Sequence, residues 1–245
     1  RAAHVPVLAV DTEFLREKTY YPKLCLVQVS TGEEIAAIDP LSIDDLSPLV
    51  RLFEDPKIVK VIHACSQDLE VLLYGMHCAC APVFDTQLAA AFLGMRQQAS
   101  YASVVEHYMG VHLPKTESLT DWSRRPLDSE QLVYAEDDVR YLPDIYRCMY
   151  ERLMKTNRLG WLMPEMNAYT APENFKRDPK EAYLHLKRSN SLTRRQMALA
   201  REICAWREER AAQHNIPRKW IISDETLVEI CKRSPATSER LKRIR

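Results

Sequence analysis

The chain has 245 residues, of which 46% are hydrophobic and 28% charged, and its 34 Lys and Arg balance its 34 Asp and Glu. This composition is typical of a globular protein with one large domain, or a large and a small one, and it excludes a disordered or fibrous chain. No apolar run approaches the ~18 residues that a membrane span requires, and no signal peptide is recognisable, so we expect no membrane partner.

The net charge of zero conceals an uneven distribution of charge. Residues 176–245 contain 18 Lys and Arg against 9 Asp and Glu, a balance of +9, which leaves −9 for residues 1–175. Such asymmetry suggests two modules with different tasks. A polyanionic partner is therefore not excluded by the overall charge.

Seven cysteines, an odd number, are scattered without CxxC spacing. This pattern predicts reduced thiols in a cytoplasmic protein rather than a disulfide framework. Because the first residue is Arg1 and not Met, we also expect a fragment of a longer chain.

Taken in chain order, the sequence predicts strands first. Apolar runs predict strands at 7–10, 24–29 and 35–38, an antiparallel meander with a turn at 31–33. Further elements follow in alternation: a helix over 46–53, a strand at 58–62, a helix over 67–74, a short strand at 83–84 and a helix over 86–93 capped by Asp85. This order favours an α/β fold with a mixed sheet.

The strongest helical pattern before the basic region covers 129–153. Its buried stripe consists of residues three and four apart: Leu132, Ala135, Val139, Leu142, Tyr146, Met149 and Leu153. Pro143 should kink this helix.

Residues 171–179, with two prolines, are interpreted as a linker between a domain over 1–170 and a basic helical domain over 180–245. In the basic domain a capping box at Thr193 and Gln196 precedes a helix whose inward face should carry Leu199, Ile203 and Trp206. Ser223 and Asp224 should begin a second helix, with Leu227, Ile230 and Cys231 inward, and Ser234 with Pro235 should cap a third.

Two carboxylates follow the first predicted strand. Asp11 and Glu13 are two positions apart in extended chain and therefore face the same side. Like charges this close are unfavourable without a cation between them, and hard oxygen ligands favour Mg²⁺ or Mn²⁺. The alternative is an ordinary acidic loop after a strand.

Two further segments supply carboxylates. Asp68 lies in the first turn of a helix, where it would also suit the helix dipole without any metal. Tyr134 and Asp138 are four apart and share a helix face at the border of the buried stripe, an arrangement that a simple surface pair would also explain. Together the four carboxylates fit a site with two metal ions, one activating water and the other stabilising the leaving oxygen of a phosphodiester.

These motifs resemble the three exonuclease motifs of the DEDD superfamily, in its tyrosine branch. The resemblance extends to bacterial ribonuclease D through blocks that cover about residues 5–165: Val10-Asp-Thr-Glu-Phe-Leu-Arg16, Tyr20-Tyr-Pro-Lys-Leu-Cys-Leu26, His63-Ala-Cys-Ser-Gln-Asp-Leu-Glu70, Asp85-Thr-Gln-Leu-Ala-Ala90 and Asp121-Trp-Ser-Arg-Arg-Pro-Leu127.

The resemblance implies an RNase H-like fold with a mixed five-stranded sheet, and 3′→5′ hydrolysis of RNA to 5′-mononucleotides. It implies that Asp11, Glu13, Asp68 and Asp138 bind two divalent metal ions, Mg²⁺ or Mn²⁺, and that Tyr134 orients the attacking water. A phenol with a pKa near ~10 is a poor base at neutral pH, so the metal must do most of the activation.

Four more residues are weaker candidates for substrate contacts. Phe14 would stack on the terminal base, or else belong to the core. His63 would lie near the substrate rather than on the metal, although a structural histidine is the commoner case. Lys115 would meet phosphate, and Trp122 would shape the cleft or simply pack in the core.

Residues 180–245 resemble one HRDC domain, a helical bundle, and their excess of positive charge favours binding to phosphate. The sequence thus predicts a cytoplasmic 3′→5′ exoribonuclease acting on structured RNA such as tRNA 3′ ends. A DNA exonuclease of the same superfamily and a catalytically silent nucleic-acid-binding scaffold are the alternatives. A kinase or dehydrogenase is excluded because GxxxxGK and GxGxxG do not occur.

Overall fold

The computed structural model describes residues 2–114 and 120–244. The fold divides into two units, one formed by residues 1–15 and 22–175 and the other by residues 16–21 and 176–245. The division after residue 175 falls inside the predicted linker 171–179, where Pro172–Phe175 forms a short 3₁₀ helix. Among the described residues, no helix combines the length and the hydropathy that a transmembrane span requires.

The first unit is built on a sheet of five strands in the order β3-β2-β1-β4-β5. The strands are β1 (Val7–Leu15), β2 (Lys23–Ser30), β3 (Ile35–Ile38), β4 (Val59–Ile62) and β5 (Val83–Asp85). The first three pair antiparallel, and β4 and β5 join in parallel. The predicted mixed five-stranded sheet and its opening meander are confirmed.

Seven α-helices in the described part of this unit accompany the sheet. They are α1 (Ser47–Glu54), α2 (Ser66–Met76), α3 (Thr86–Phe92), α4 (Tyr101–Met109), α5 (Ser129–Arg140), α6 (Leu142–Lys155) and α7 (Leu159–Tyr169). The predicted cap of α3 is confirmed, since the Asp85 carboxylate accepts hydrogen bonds from the backbone N–H groups of Gln87 and Leu88. Local cap chemistry therefore fixes where this helix begins.

Strand β1 extends further than its apolar run predicts. It continues through Asp11 and Glu13 to Leu15, with an irregularity in its pairing with β2 between Glu13 and Phe14. The prediction that the two carboxylates come after the strand is wrong, because β2 pairs with β1 along this entire stretch. The carboxylates are consequently held in a paired strand rather than in a loop.

Alternation along β1 gives the sheet two differently covered faces. Leu8 and Val10 pack in one apolar core with residues of α1 and α2, such as Phe53 and Leu72. Ala9 packs in a second core with residues of α5 and α6, such as Val139. By the same alternation Thr12 belongs to the first face, and Asp11 and Glu13 belong to the second.

The helix predicted over 129–153 is two helices, α5 and α6, separated at Tyr141. Pro143 lies at the start of α6, where its missing N–H is harmless, and its ring would clash with a continuous helix. The predicted stripe is mostly buried, but Leu132 is 40% exposed. In its place Gln131 turns inward, because it forms a capping box with Asp128.

The second unit is helical: α8 (Arg194–His214), α9 (Arg218–Ile221), α10 (Asp224–Arg233) and α11 (Ser238–Lys242). The capping box of Thr193 with Gln196 is confirmed, as is the start of α10 at its Ser223 cap. The predicted cap at Ser234 and Pro235 is wrong, since Ser234 ends α10 in a left-handed conformation and Thr237 caps α11.

The inward face of α8 is rotated from the predicted one. Trp206 is 46% exposed, while Arg207 and Glu208 are buried. Arg207 donates hydrogen bonds to the Asp224 carboxylate and the Ile222 carbonyl, and Glu208 accepts one from the Tyr20 hydroxyl. These partners offset the cost of burying the two charges. They come from outside the helix, so the pattern of apolar residues along α8 cannot reveal them.

All seven cysteines are free thiols, six of them buried and Cys148 exposed. The predicted absence of a disulfide framework agrees with this. Burial raises the pKa of the Cys65 thiol, and raises that of Cys78 to about 12, so these side chains act as small apolar groups.

Candidate metal centre

Three acidic side chains meet on the second face of the sheet. Asp11 and Glu13 lie on β1, and Asp138 lies on α5, which packs over this face. One carboxylate oxygen from each lies within 4.8 Å of the others. Strand alternation and helix packing therefore bring together carboxylates that are more than 120 positions apart in sequence.

Burial and mutual repulsion make this cluster a strong proton acceptor. They raise the pKa of Asp11 well above its usual value, with contributions from Asp68, Asp138 and Glu13. The pKa of Glu13 is raised to about 8 by burial and by the charges of Asp138 and Asp68. That of Asp138 is raised to about 7, chiefly by burial.

A divalent cation fits this donor set. Within residues 2–114 and 120–244, no lysine, arginine or histidine forms an ion pair with Asp11, Glu13 or Asp138. Mg²⁺ and Mn²⁺ prefer oxygen ligands, and closely spaced carboxylates without a cationic side chain beside them can supply such ligands. A bound ion would replace the protons that the cluster otherwise takes up.

Asp68 approaches from the other face of the sheet. It lies in the first turn of α2, and its Oδ1 accepts a hydrogen bond of 2.6 Å from the Thr12 hydroxyl. Burial raises the pKa of Asp68 to about 7, although the Thr12 hydrogen bond lowers it. The structure thus leaves Asp68 outside the group of three carboxylates, close enough to raise the pKa of Asp11.

Thr12→Val should destabilise the protein by about 1–3 kcal/mol, because it leaves the buried Asp68 oxygen without its donor while preserving side-chain shape. Urea unfolding in EDTA measures this loss. Thr156→Val is the matched control, since its hydroxyl bonds the Arg152 carbonyl at an exposed helix end. Equal unfolding free energies for the two variants would contradict a structural role for the Thr12 hydroxyl.

Tyr134 lies one helical turn before Asp138, and its phenol interacts electrostatically with the Asp138 carboxylate. Burial and the charges of Asp138 and Glu13 raise the pKa of the Tyr134 phenol, so it keeps its proton at neutral pH. The Trp122 ring lies 6.0 Å from the Tyr134 ring, centroid to centroid. Trp122 is 3% exposed and packs with Leu26 and Ala135, so it lies in the core behind Tyr134.

The other predicted substrate contacts lie as follows. His63 has both ring nitrogens engaged, Nδ1 with the Thr86 hydroxyl at 2.9 Å and Nε2 with the Ala99 carbonyl at 3.0 Å. Since burial lowers its pKa and a carbonyl only accepts, His63 is neutral with its proton on Nε2. Phe14 is partly buried against the first-face core. Lys115 lies outside the described residues.

A sequence model described as 3′-5′ exonuclease matches residues 1–154, the region that contains Asp11, Glu13, Asp68, Tyr134 and Asp138. The chain belongs to the 3′-5′ exonuclease family. A second model, described as an HRDC domain, matches residues 196–245. The family and the accessory helical domain predicted from the sequence motifs are confirmed.

Within this exonuclease family the chain is similar to ribonuclease D. It is 42% identical over 241 residues to ribonuclease D of Granulibacter bethesdensis, covering 98% of this chain and 61% of that protein. The crystal structure of Escherichia coli RNase D, described as an exoribonuclease involved in structured RNA processing, superposes with a TM-score of 0.91. The identity is 35%, over 98% of this chain and 64% of that chain.

A more distant relative of solved structure is Brucella melitensis NrnC with bound Mg²⁺. It is 25% identical, with a TM-score of 0.62 over 71% of this chain and 86% of that chain. The chain spans about three fifths of the length of the curated ribonuclease D relatives that it matches.

Three residues beside this acidic cluster were not singled out from the sequence. Thr12 holds Asp68, and Gln28 lies opposite Asp11 on β2. Tyr101 donates a hydrogen bond to the Asp137 carbonyl, and its pKa is raised by burial and by the charges of Asp138 and Asp11. A glutamine inside a buried strand was the one visible signal, because buried strands seldom include amides.

Proposed function

We propose that this protein is a metal-dependent 3′→5′ exoribonuclease of the ribonuclease D type. It would act in the cytoplasm on structured RNA with a single-stranded 3′ end, such as tRNA precursors, and release 5′-mononucleotides. The observation that carries the proposal is the meeting of Asp11, Glu13 and Asp138 within 4.8 Å, beside a tyrosine, inside the region matched by the exonuclease family.

The carboxylates would hold two divalent ions, Mg²⁺ or Mn²⁺. Asp11, Glu13 and Asp138 form the main donor group, and Asp68 would contribute from the opposite face of the sheet through the oxygen that Thr12 does not engage. Such ions supply Lewis-acid activation of water and neutralise the charge that builds up on phosphorus. Mg²⁺ in the structure of the relative NrnC supports this choice of metal.

Tyr134 would position the attacking water through its hydroxyl. Because its phenol keeps its proton at neutral pH, we assign it an orienting role and not that of a base. Trp122 supports the Tyr134 ring from behind, and Phe14 would offer an apolar surface to the terminal base. For His63 we propose a structural role, because both its ring nitrogens bind protein groups. These bonds connect the end of β4 to the segment before α4.

The domain division is part of the same proposal. Residues 1–170 would form the nuclease domain, residues 171–179 the linker, and residues 180–245 the HRDC-like domain that holds RNA. Lys115 would contact phosphate from the nuclease domain. The match of residues 196–245 to the HRDC model and the positive balance of residues 176–245 support the RNA-holding role.

A labelled substrate tests the activity directly. RNA carrying a 3′ extension, labelled at its 5′ end, and single-stranded DNA of the same sequence would each be incubated with Mg²⁺, Mn²⁺ or EDTA. We expect stepwise 3′ shortening of the RNA that needs metal and stops in Asp11→Asn. Interior cleavage, or activity in EDTA, would contradict the mechanism, and faster shortening of the DNA would assign the enzyme to DNA.

Charge removal tests the RNA-holding role. At one end of the second unit, the start of α8 meets the end of α10 through a hydrogen bond from Gln196 to the Lys232 carbonyl. The exposed cations at these two helix ends include Arg194, Arg195 and Lys232. Replacing these three by Gln should weaken RNA binding and reduce the slope of log K against log salt by up to about 2, at ~0.7 per phosphate contact.

Fluorescence anisotropy of labelled RNA in EDTA, over a range of KCl concentrations, measures that slope. The matched control replaces three exposed cations of the first unit, Arg51, Lys57 and Arg147, by Gln, with the same change of net charge. Equal slopes for the two triple variants would refute a specific contribution of the HRDC-like domain.

A further inference from the structure

Among the residues that the structure describes, no hydrogen-bond partner reaches the fully buried amide of Gln28. It lies in the middle of β2 with 0% of its surface exposed. Neither its Oε1 nor its Nε2 makes a hydrogen bond within the described part of the chain. Leaving buried polar groups unpaired typically costs about 1–3 kcal/mol each, so such a residue calls for a specific explanation.

The pairing of the strands points this side chain at the metal centre. Gln28 is the direct partner of Asp11 in the antiparallel register of β1 with β2. Directly opposed residues of an antiparallel pair project from the same face, with Cβ atoms about 4.5–5.5 Å apart. Gln28 therefore shares the face on which Asp11, Glu13 and Asp138 gather.

The strand neighbours of Gln28 offer few other acceptors. Leu26, two positions earlier on β2, is buried with Trp122 and Ala135 in an apolar cluster. Ser30, two positions later, uses its hydroxyl to accept a hydrogen bond from the Gly32 N–H at 3.1 Å. Across β2 on the side away from β1, the partner of Gln28 is Ala37, which has no polar side chain.

We propose that Gln28 is a positioning residue for Asp11. Its Nε2–H group donates to the Asp11 carboxylate, directly after a small turn of the glutamine side chain or through one buried water molecule, once a divalent ion holds that carboxylate in its charged form. The inference rests on the proposed metal-dependent function. The proposal explains why an amide occupies a buried position that packing alone would give to an apolar residue.

Outer partners of metal-binding carboxylates orient the ligand oxygens, and their loss typically lowers metal affinity about 10–100-fold. A purely structural Gln28 would behave differently. Replacing an unpaired buried amide by an apolar side chain of similar volume is neutral or stabilising, and it would leave metal binding alone. The two roles therefore predict opposite patterns of metal affinity and stability.

The test compares Gln28→Met with Ser30→Ala in the full chain. Free Mn²⁺, followed by electron paramagnetic resonance, gives the dissociation constant, and thermal unfolding in EDTA gives the stability without metal. We expect Gln28→Met to raise the Mn²⁺ dissociation constant at least about tenfold while its melting temperature in EDTA is equal to or above that of the unmodified protein. Ser30→Ala should leave the constant unchanged, because its hydroxyl serves a local turn.

An unchanged Mn²⁺ constant in Gln28→Met, or an equal rise in both variants, would overturn the proposal. If Gln28→Met does not unfold cooperatively, Gln28→Leu provides the same comparison with a shorter, branched side chain. Failure of the proposed function is distinguishable, since the unmodified protein would then show no saturable Mn²⁺ binding that Asp11→Asn removes.

Discussion

Asp138→Asn should slow nucleotide release from RNA by at least about a thousandfold. The substitution preserves the shape of the side chain but removes one of the three negative charges that meet within 4.8 Å. It also removes a charge that raises the pKa of the neighbouring Tyr134 phenol. A loss of several kcal/mol of electrostatic stabilisation of the transition state corresponds to this factor, at about 1.4 kcal/mol per tenfold.

The neighbouring residue provides a matched control for this variant. Asp137 is adjacent on α5 but forms a surface ion pair with Arg140 at 3.0 Å. Asp137→Asn should therefore change the rate no more than about twofold, because surface substitutions usually change free energies by no more than about 0.5 kcal/mol. Single-turnover assays with 5′-labelled RNA compare the two, and similar rates for both variants would remove Asp138 from the proposed site.

The two variants should also differ in stability without metal. Asn at position 138 relieves repulsion with Asp11 and Glu13, so the melting temperature of Asp138→Asn in EDTA should exceed that of the unmodified protein. Asp137→Asn loses an exposed ion pair of small value instead. A rise in stability together with a loss of activity is the expected signature of a carboxylate held for metal binding.

Local signals in the sequence predicted the elements that local chemistry controls. The cap at Asp85 and the capping box at Thr193 lie where expected, because each depends on residues within four positions. The positions of the strands along the chain followed from apolar runs and turns. The extent of β1 did not, since its last residues are strand only by virtue of pairing with β2.

The parts of the site that depend on contacts distant in sequence were less predictable. The motifs predicted four clustered carboxylates, of which the structure brings Asp11, Glu13 and Asp138 within 4.8 Å of one another. Nothing in the sequence indicated that Asp68 would approach from the other face and bind Thr12, since helix placement across a sheet is a tertiary property. Similarly, the buried face of α8 depends on partners for Arg207 and Glu208 from outside the helix.

Without metal, the protein should lose stability as pH rises from about 5 to 8. The pKa of Glu13 is raised to about 8, and the pKa values of Asp68 and Asp138 are each raised to about 7, from ordinary values near 4. Between these limits the folded protein binds more protons than the unfolded chain, so the free energy of unfolding falls with pH. The stabilisation is complete below about pH 4 and is lost once the pH passes the folded-state values.

Divalent metal should reverse this loss, because an ion compensates the carboxylates that protons neutralise at lower pH. Urea unfolding at pH 5.5, 7 and 8.5, in EDTA and in Mn²⁺, measures both effects. We expect a decline on the order of several kcal/mol in EDTA, a smaller one in Mn²⁺, and a shallower EDTA profile for Asp138→Asn. A free energy of unfolding that stays level or rises with pH in EDTA would show that Glu13, Asp68 and Asp138 do not hold extra protons in the folded protein. In that case burial and mutual repulsion would not raise the pKa values of these carboxylates, and they would give the site no preference for a cation.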